Sequence, residues 1–189
     1  MSTRGFVGYK KNGKIKGFYN NNDSYYSYLG LKVLKKFEIY SNKQLEDFFI
    51  KKLELITNDK KDEYYENHRD IWEIDWSTDN IKLQDGTSFL LDSLFCEYGY
   101  VYNLDDGTIE VYRSFFDKPH TGKERIKYEM KDIFMESKKE EYFTHLVCTI
   151  NKEEIEVAYR MFNSVIEENK SEDYPEKIFM ESEKRLKQI

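Results

Sequence analysis

Residues 98–115 read Tyr-Gly-Tyr-Val-Tyr-Asn-Leu-Asp-Asp-Gly-Thr-Ile-Glu-Val-Tyr-Arg-Ser-Phe, two runs rich in aromatic and β-branched side chains around a central Asp-Asp-Gly. Such side chains favour β-strands. The Asp105-Asp106-Gly107 segment suits a short turn, because glycine adopts a positive φ at no steric cost. The pattern predicts an antiparallel hairpin over these residues.

A second hairpin is predicted near the N-terminus, over residues 5–20. Its two apolar runs flank Lys11-Asn12-Gly13-Lys14, and Asn-Gly is a strong signal for a two-residue type I′ turn. A weaker alternation of apolar and polar residues predicts strands at 71–76 and 80–83. Another strand is predicted over 142–150, which has the apolar residues Leu146, Val147 and Cys148 at its centre.

Three amphipathic helices are predicted, at 25–38, 42–56 and 152–168. Ser41 with Gln44, and Asn151 with Glu154, have the spacing of capping boxes at the start of the second and third helices. Apolar residues then recur with the 3.6-residue period of a helix. Pro175 fits the first position of a final helix, so residues 170–189 are expected to form a C-terminal helical extension.

These elements together predict an α+β fold, in which a mostly antiparallel sheet built from hairpins packs against amphipathic helices. Parallel βαβ units are not expected, because their strands are usually continuous apolar runs, which this chain lacks. The 189 residues are expected to form a single domain.

Composition narrows the functional classes. Leu, Ile, Val and Phe make up about a quarter of the residues, above the level of disordered chains. Apolar runs are far shorter than a membrane span, and no secretory signal precedes the first strand, so a cytoplasmic protein is expected. The three histidines and two cysteines show no metal-ligand or redox spacing, and the glycines form no nucleotide-loop fingerprint. No metal or cofactor is therefore expected.

Charge is distributed unevenly along the chain. The net charge is −6, yet residues 1–40 contain eight basic and two acidic residues and carry +6, which leaves −12 on the remainder. A local positive field attracts anions even on an acidic protein. The alternative interpretation is that these lysines only solvate a hairpin and a helix face. Gly8 and Gly17 lie inside the first two predicted strands, where a close backbone, a bulge or a ligand usually explains a missing side chain.

Two segments resemble a known protein family. Thr3-Arg4-Gly5, residues 19–25 and Leu29-Gly30 form the first, and residues 100–105 with 109–113 form the second. They resemble a widespread uncharacterised family of bacteria, phages and other mobile elements, whose members begin Met-Gly/Ser-Thr-Arg-Gly and continue with a Tyr-Asn/His-His-Trp-Asp-Ser/Gly-Tyr-Pro box. The family's His-Trp corresponds to Asn21-Asn22 here, and its proline corresponds to Tyr26. The resemblance implies a mobile-element setting and a site near the N-terminus.

Two other interpretations of that N-terminal region are a catalytic site and a purely structural pairing. If Met1 is removed, Ser2 resembles the first residue of N-terminal nucleophile hydrolases, in which the hydroxyl is the nucleophile and the terminal amine acts as its base, and Asn21 and Asp23 would lie in the segment that orients the amine. In the second interpretation Arg4 pairs with Asp23 across the hairpin, and the neighbouring asparagines satisfy the backbone of the loop.

The hypothesis that we favour from the sequence is a non-enzymatic binding protein. Its partner would be a small anionic, nucleotide-like signal that it sequesters, or a host protein, and an overall charge of −6 argues against a long nucleic acid. Arg4 would contact a phosphate or carboxylate, Tyr19 and Tyr25 would stack on a ring, and Lys14 and Lys16 would add peripheral charge. Asn20 and Asp23 complete the predicted ligand site.

Overall fold

The computed structural model describes residues 3–57, 70–91, 96–113 and 144–168. Seven strands and three α-helices lie in these ranges: β1 Gly5–Lys11, β2 Lys14–Asn20, α1 Leu31–Ile39, α2 Asn42–Asp47, β3 Leu53–Ile56, β4 Ile81–Gln84, β5 Tyr98–Asn103, β6 Thr108–Arg113, β7 His145–Ile150 and α3 Ile155–Glu168. One π-helical turn, Tyr26–Gly30, leads into α1, and another, Phe48–Lys52, follows α2. Short 3-10 turns cover Thr87–Leu91 and Lys152–Glu154.

The main sheet has five strands in the order β2-β1-β5-β6-β7. Three of its four pairings are antiparallel, including the two predicted hairpins, so the predicted α+β class is confirmed. At the first hairpin turn Asn12 and Gly13 have φ of 51° and 72°, as a type I′ turn requires.

Parallel pairing is the main departure from the predicted topology. β1 pairs with β5 in parallel, and β3 pairs with β4 in parallel as a separate two-stranded sheet. The central strands β1 and β5 are buried almost throughout, because apolar clusters cover both faces of the sheet. The mostly antiparallel sheet is thus as predicted, whereas the two parallel pairings were not predicted.

The larger apolar cluster lies between one face of the sheet and the helices. Tyr100 and Tyr102 of β5 point into it, and their hydroxyls donate to the carbonyl oxygens of Ser24 (3.0 Å) and Val33 (2.9 Å). Phe162 of α3 stacks on Tyr26 with ring centroids 5.1 Å apart. The two capping boxes, at Ser41 and at Asn151, are present as predicted.

The predicted helix 42–56 is shorter in the structure. After α2 and the π-helical turn, Leu53–Ile56 forms strand β3 rather than a last helical turn. A short apolar run is compatible with either a helix or a strand when only its periodicity is considered. The backbone partner that decides between them, β4, lies more than 20 residues away in the sequence.

The predicted strand 71–76 is also wrong, because this segment forms consecutive turns. The Asp70 carboxylate accepts the Trp72 N–H (2.9 Å), and the Asp75 carboxylate accepts the Ser77 N–H (2.8 Å). Aspartate side chains that bond to the backbone two residues later stabilise turns in place of a strand ladder. Residues 70–79 thereby become a turn-rich wall beside α1.

Gly8 and Gly17 make room for an aromatic ring of the protein itself. They face each other across β1 and β2, and a Cβ atom at either position would lie 2.4–2.6 Å from the Phe6 ring. Such a Cβ would also lie 2.3–2.4 Å from a backbone oxygen of the neighbouring strand. These glycines therefore support no ligand site.

Several sequence predictions fall on residues that the structure does not describe. They include Ser2, residues 142–143 at the start of the last predicted strand, and the C-terminal extension 170–189. Among the helices in the described ranges, none is both long and apolar enough to cross a membrane.

Candidate functional site

Five of the predicted site residues lie at one end of the main sheet. Gly5 pairs with Asn20, so Arg4 lies beside the end of β2, and the chain from Asn20 to Tyr25 closes that end. The Ser24 N–H donates to the Thr3 carbonyl (3.2 Å) and fixes this loop against the start of β1. The structure thus brings Arg4, Tyr19, Asn20, Asp23 and Tyr25 to one region, which we call the sheet end.

Side chains of the sheet end mostly contact one another. The Asn20 amide donates to the Ser24 hydroxyl (2.8 Å) and to the Asn22 carbonyl. The Tyr19 hydroxyl donates to Asn21 (2.9 Å), and its ring meets Phe89 edge-on at 4.6 Å between centroids. These contacts stabilise the loop, in agreement with the structural interpretation of its asparagines.

Asp23 has a left-handed backbone, with φ of 50°, a conformation that Asp tolerates better than most residues. Within the described ranges its carboxylate has no hydrogen-bond or ion-pair partner, so the predicted pairing with Arg4 is not formed. The Arg4 backbone instead joins Glu97, whose N–H donates to the Arg4 carbonyl (3.1 Å). The hydrolase hypothesis stays a prediction, because its nucleophile Ser2 lies outside the described residues.

Lys14 and Lys16 lie apart from the sheet end. Lys14 begins β2 and pairs with Lys11, whereas Asn20 ends the same strand. At about 3.3 Å per residue, six residues separate Lys14 from Asn20 by about 20 Å. A small ligand at the sheet end would not reach Lys14.

Another candidate site, which contains three lysines, lies between α1 and the turns at 70–76. A cleft of about 310 Å³ is lined by Lys32, Lys35, Lys36, Ile39, Asp70, Trp72 and Glu73, and we call it the lysine cleft. Its lysines recur three and four residues apart, a spacing that places them on one face of the helix. They belong to the +6 segment recognised in the sequence.

Lys36 forms the inner part of the cleft. Its ammonium donates to the Ile74 carbonyl (2.7 Å) and lies 5.2 Å from the centroid of the Trp76 ring. Burial lowers the pKa of Lys36, and the positive charge of Lys35 lowers it further, against the opposing effect of Asp75 and Asp70. Lys36 therefore holds α1 against the turn wall and adds positive charge to the cleft.

Lys32 and Lys35 carry the outer charge. The Lys32 ammonium lies 4.5 Å from the centroid of the Tyr28 ring, and Lys35 is exposed. Among the described residues, neither ammonium has a hydrogen bond or an ion pair. Both groups are available to an anion.

The wall opposite the lysines combines an indole with two carboxylates. Trp72 is half-buried, and its ring centroid lies 5.9 Å from that of Trp76. Asp70 and Glu73 are exposed on the same turn, closed by the Glu73 N–H donating to the Asp70 carbonyl (3.0 Å). Asp70 and Glu73 line the cleft together with the three lysines but form no ion pair with them. The cleft therefore has a positive side and a negative side.

Another cleft offers a useful contrast. It has a volume of about 490 Å³ beside β3 and β4, and lysines also line it. There Lys51 pairs with Asp47, Lys82 pairs with Glu54 (3.3 Å), and Lys52 donates to the Ser77 carbonyl. Because protein groups already occupy these lysines, this cleft is a weaker candidate for an anion.

Sequence reasoning missed the lysine cleft. The i, i+3, i+4 spacing of Lys32, Lys35 and Lys36 was a visible signal, but the predicted site relied on the hairpin. The alternation of apolar residues predicts a strand at Trp72, and a strand there gives no reason to expect its ring beside these lysines.

No protein family, curated protein or solved structure matches the chain. Within the described residues, no group of three or more His, Cys, Asp or Glu side chains is arranged to hold a metal ion.

Proposed function

We propose that this protein is a non-enzymatic binding protein that takes a small anionic ligand with a planar ring, of nucleotide type, in the lysine cleft. The observation that carries the proposal is the convergence of Lys32, Lys35 and Lys36 on one cleft that Trp72 also lines. Lysines meet phosphates, and aromatic rings stack on bases, in many sites that hold nucleotides.

Size and charge favour a small ligand over a polymer. A volume of about 310 Å³ is at the lower end of the range for small-molecule sites. The chain carries −6 overall, which opposes binding along a nucleic-acid backbone. The resemblance of two segments of the sequence, one near the N-terminus and one over residues 100–113, to proteins of mobile elements supports a role in sequestering a nucleotide signal of the host.

Reversal of one cleft charge should remove most of the affinity. We expect Lys35→Glu to weaken the binding of a nucleoside 5′-monophosphate at least tenfold, because a charge-assisted hydrogen bond contributes about 1.5–3 kcal/mol. Isothermal titration calorimetry measures the change. Lys14→Glu is the matched control, since it changes the net charge equally at an exposed lysine that does not line the cleft, and it should change the affinity by less than about threefold.

The same titrations test the alternative site that the sequence predicts at the sheet end. If Arg4→Ala abolishes binding and Lys35→Glu leaves it intact, the ligand binds at the sheet end and the proposed site is wrong. If no nucleoside monophosphate binds to the wild-type protein, the proposed function is wrong.

A further inference from the structure

We infer that the ligand of the lysine cleft is a guanine nucleotide, with Glu73 as the residue that selects the base. This inference rests on the proposed function and adds the identity of the base. It comes from the separation of charge across the cleft, which a phosphate group alone does not explain.

The two walls of the cleft suit different parts of one ligand. Lys32 and Lys35 provide cationic donors on the α1 side, whereas Asp70 and Glu73 provide acceptors on the turn side. An ionised carboxylate only accepts hydrogen bonds and repels a second phosphate. The turn wall therefore favours the part of the ligand that carries N–H donors.

Glu73 is better placed than Asp70 to read a base. One oxygen of Asp70 already accepts the Trp72 N–H at 2.9 Å and maintains the turn. Glu73 is exposed, and its carboxylate has no hydrogen bond or ion pair with the residues that the structure describes. Both of its oxygens are available to a ligand.

Guanine matches a carboxylate better than adenine or cytosine does. Its N1–H and N2 amino group are adjacent donors on one edge, so they can meet both oxygens of Glu73 in a bidentate pair. Adenine and cytosine offer one amino group beside an acceptor nitrogen, which a carboxylate repels. The large purine ring also suits stacking on Trp72, since aromatic contacts grow with the area buried.

The test compares GMP, IMP and AMP by isothermal titration calorimetry on the full chain. IMP is the comparison ligand that isolates the contribution of the N2 amino group, because it differs from GMP only by the loss of that group. We expect GMP to bind at least tenfold more tightly than AMP, with IMP between them. A site that bonds to a ligand donor discriminates strongly against analogues that lack the donor.

Glu73→Gln tests the assigned residue. This exposed substitution should leave the melting temperature unchanged, lower the affinity for GMP at least tenfold and leave the affinity for AMP within about twofold. Glu156→Gln is the control, because it makes the same charge change at an exposed residue of α3 that does not line the cleft, and it should retain the preference for GMP.

The outcomes separate this inference from the function on which it rests. Equal binding of GMP and AMP, both sensitive to Lys35→Glu, would overturn the inference and leave the proposed function in place. A preference for GMP that survives Glu73→Gln would overturn the role of Glu73. No binding of any of the three nucleotides would overturn both proposals.

Discussion

Replacing Trp76 with alanine should lower the free energy of unfolding by about 3–5 kcal/mol, the range for removal of a large aromatic side chain from a core. Trp76 is completely buried. Its indole lies parallel to the Phe48 ring with centroids 4.3 Å apart, and its Nε1–H donates to the Ile71 carbonyl (2.8 Å). Alanine would leave a large cavity and an unpaired carbonyl. Urea denaturation followed by circular dichroism measures the loss.

Trp72→Ala is the matched control for this substitution. Trp72 is only half-buried, so its removal should cost clearly less stability than that of Trp76, while reducing nucleotide affinity through loss of the stacking surface. Trp76→Phe retains part of the packing and should lie between the wild-type protein and Trp76→Ala. Equal losses for the two alanine variants would contradict the central position assigned to Trp76.

Removal of the Glu110 carboxylate should be the next most damaging change, with an expected loss of about 3 kcal/mol. Glu110 lies on β6 with its side chain 7% exposed. It accepts from the Lys10 ammonium (2.9 Å), the Asn103 amide (2.8 Å) and the Tyr112 hydroxyl (2.6 Å). Removing one partner of a buried ion pair typically costs about 3–5 kcal/mol. We expect the lower limit, because the Lys10 side chain is 21% exposed and water can partly solvate it.

A double-mutant cycle separates the ion pair from simple loss of packing. Lys10→Met combined with Glu110→Leu removes both charges and should be more stable than Glu110→Leu alone, because no buried ammonium is left without its carboxylate. Chemical denaturation of the single and double variants measures the coupling. A coupling energy below about 0.5 kcal/mol would show that the two side chains act independently.

Local signals determined which parts of the fold could be predicted. The hairpin at 98–113 depends on adjacent residues and on a turn in which Gly107 has φ of 69°. The start of α2 depends on Ser41 and Gln44, three residues apart. Each feature needs only a few neighbouring residues, so the amino-acid pattern contains the necessary information.

Long-range contacts explain the parts that could not be predicted. The parallel pairing of β1 with β5 joins Gly5 to Tyr98, more than 90 residues away. The strand at Leu53–Ile56 depends on Ile81–Gln84 for its backbone partners. In both cases the local sequence is compatible with more than one secondary structure or pairing, and contact with a distant segment determines which one forms.

The candidate site likewise has one part that local sequence predicts and one part that depends on distant residues. Lys32, Lys35 and Lys36 share one helix face, which the sequence spacing indicates. The wall that turns this face into a cleft comes from Asp70, Trp72 and Glu73. That wall exists because aspartate side chains bond to the backbone and fold residues 70–79 into turns, where the alternation of apolar residues had suggested a strand.

The most direct test of the lysine cleft is a titration of ¹⁵N-labelled protein with GMP, followed through the indole N–H signals of the only two tryptophans in the chain, Trp72 and Trp76. Trp72→Phe assigns the signals. We expect a saturable shift of the Trp72 indole signal in the wild-type protein and in Lys14→Glu, and a strongly weakened response in Lys35→Glu. An unchanged Trp72 signal at saturating GMP, or the same shift in Lys35→Glu as in the wild-type protein, would contradict ligand binding in the lysine cleft.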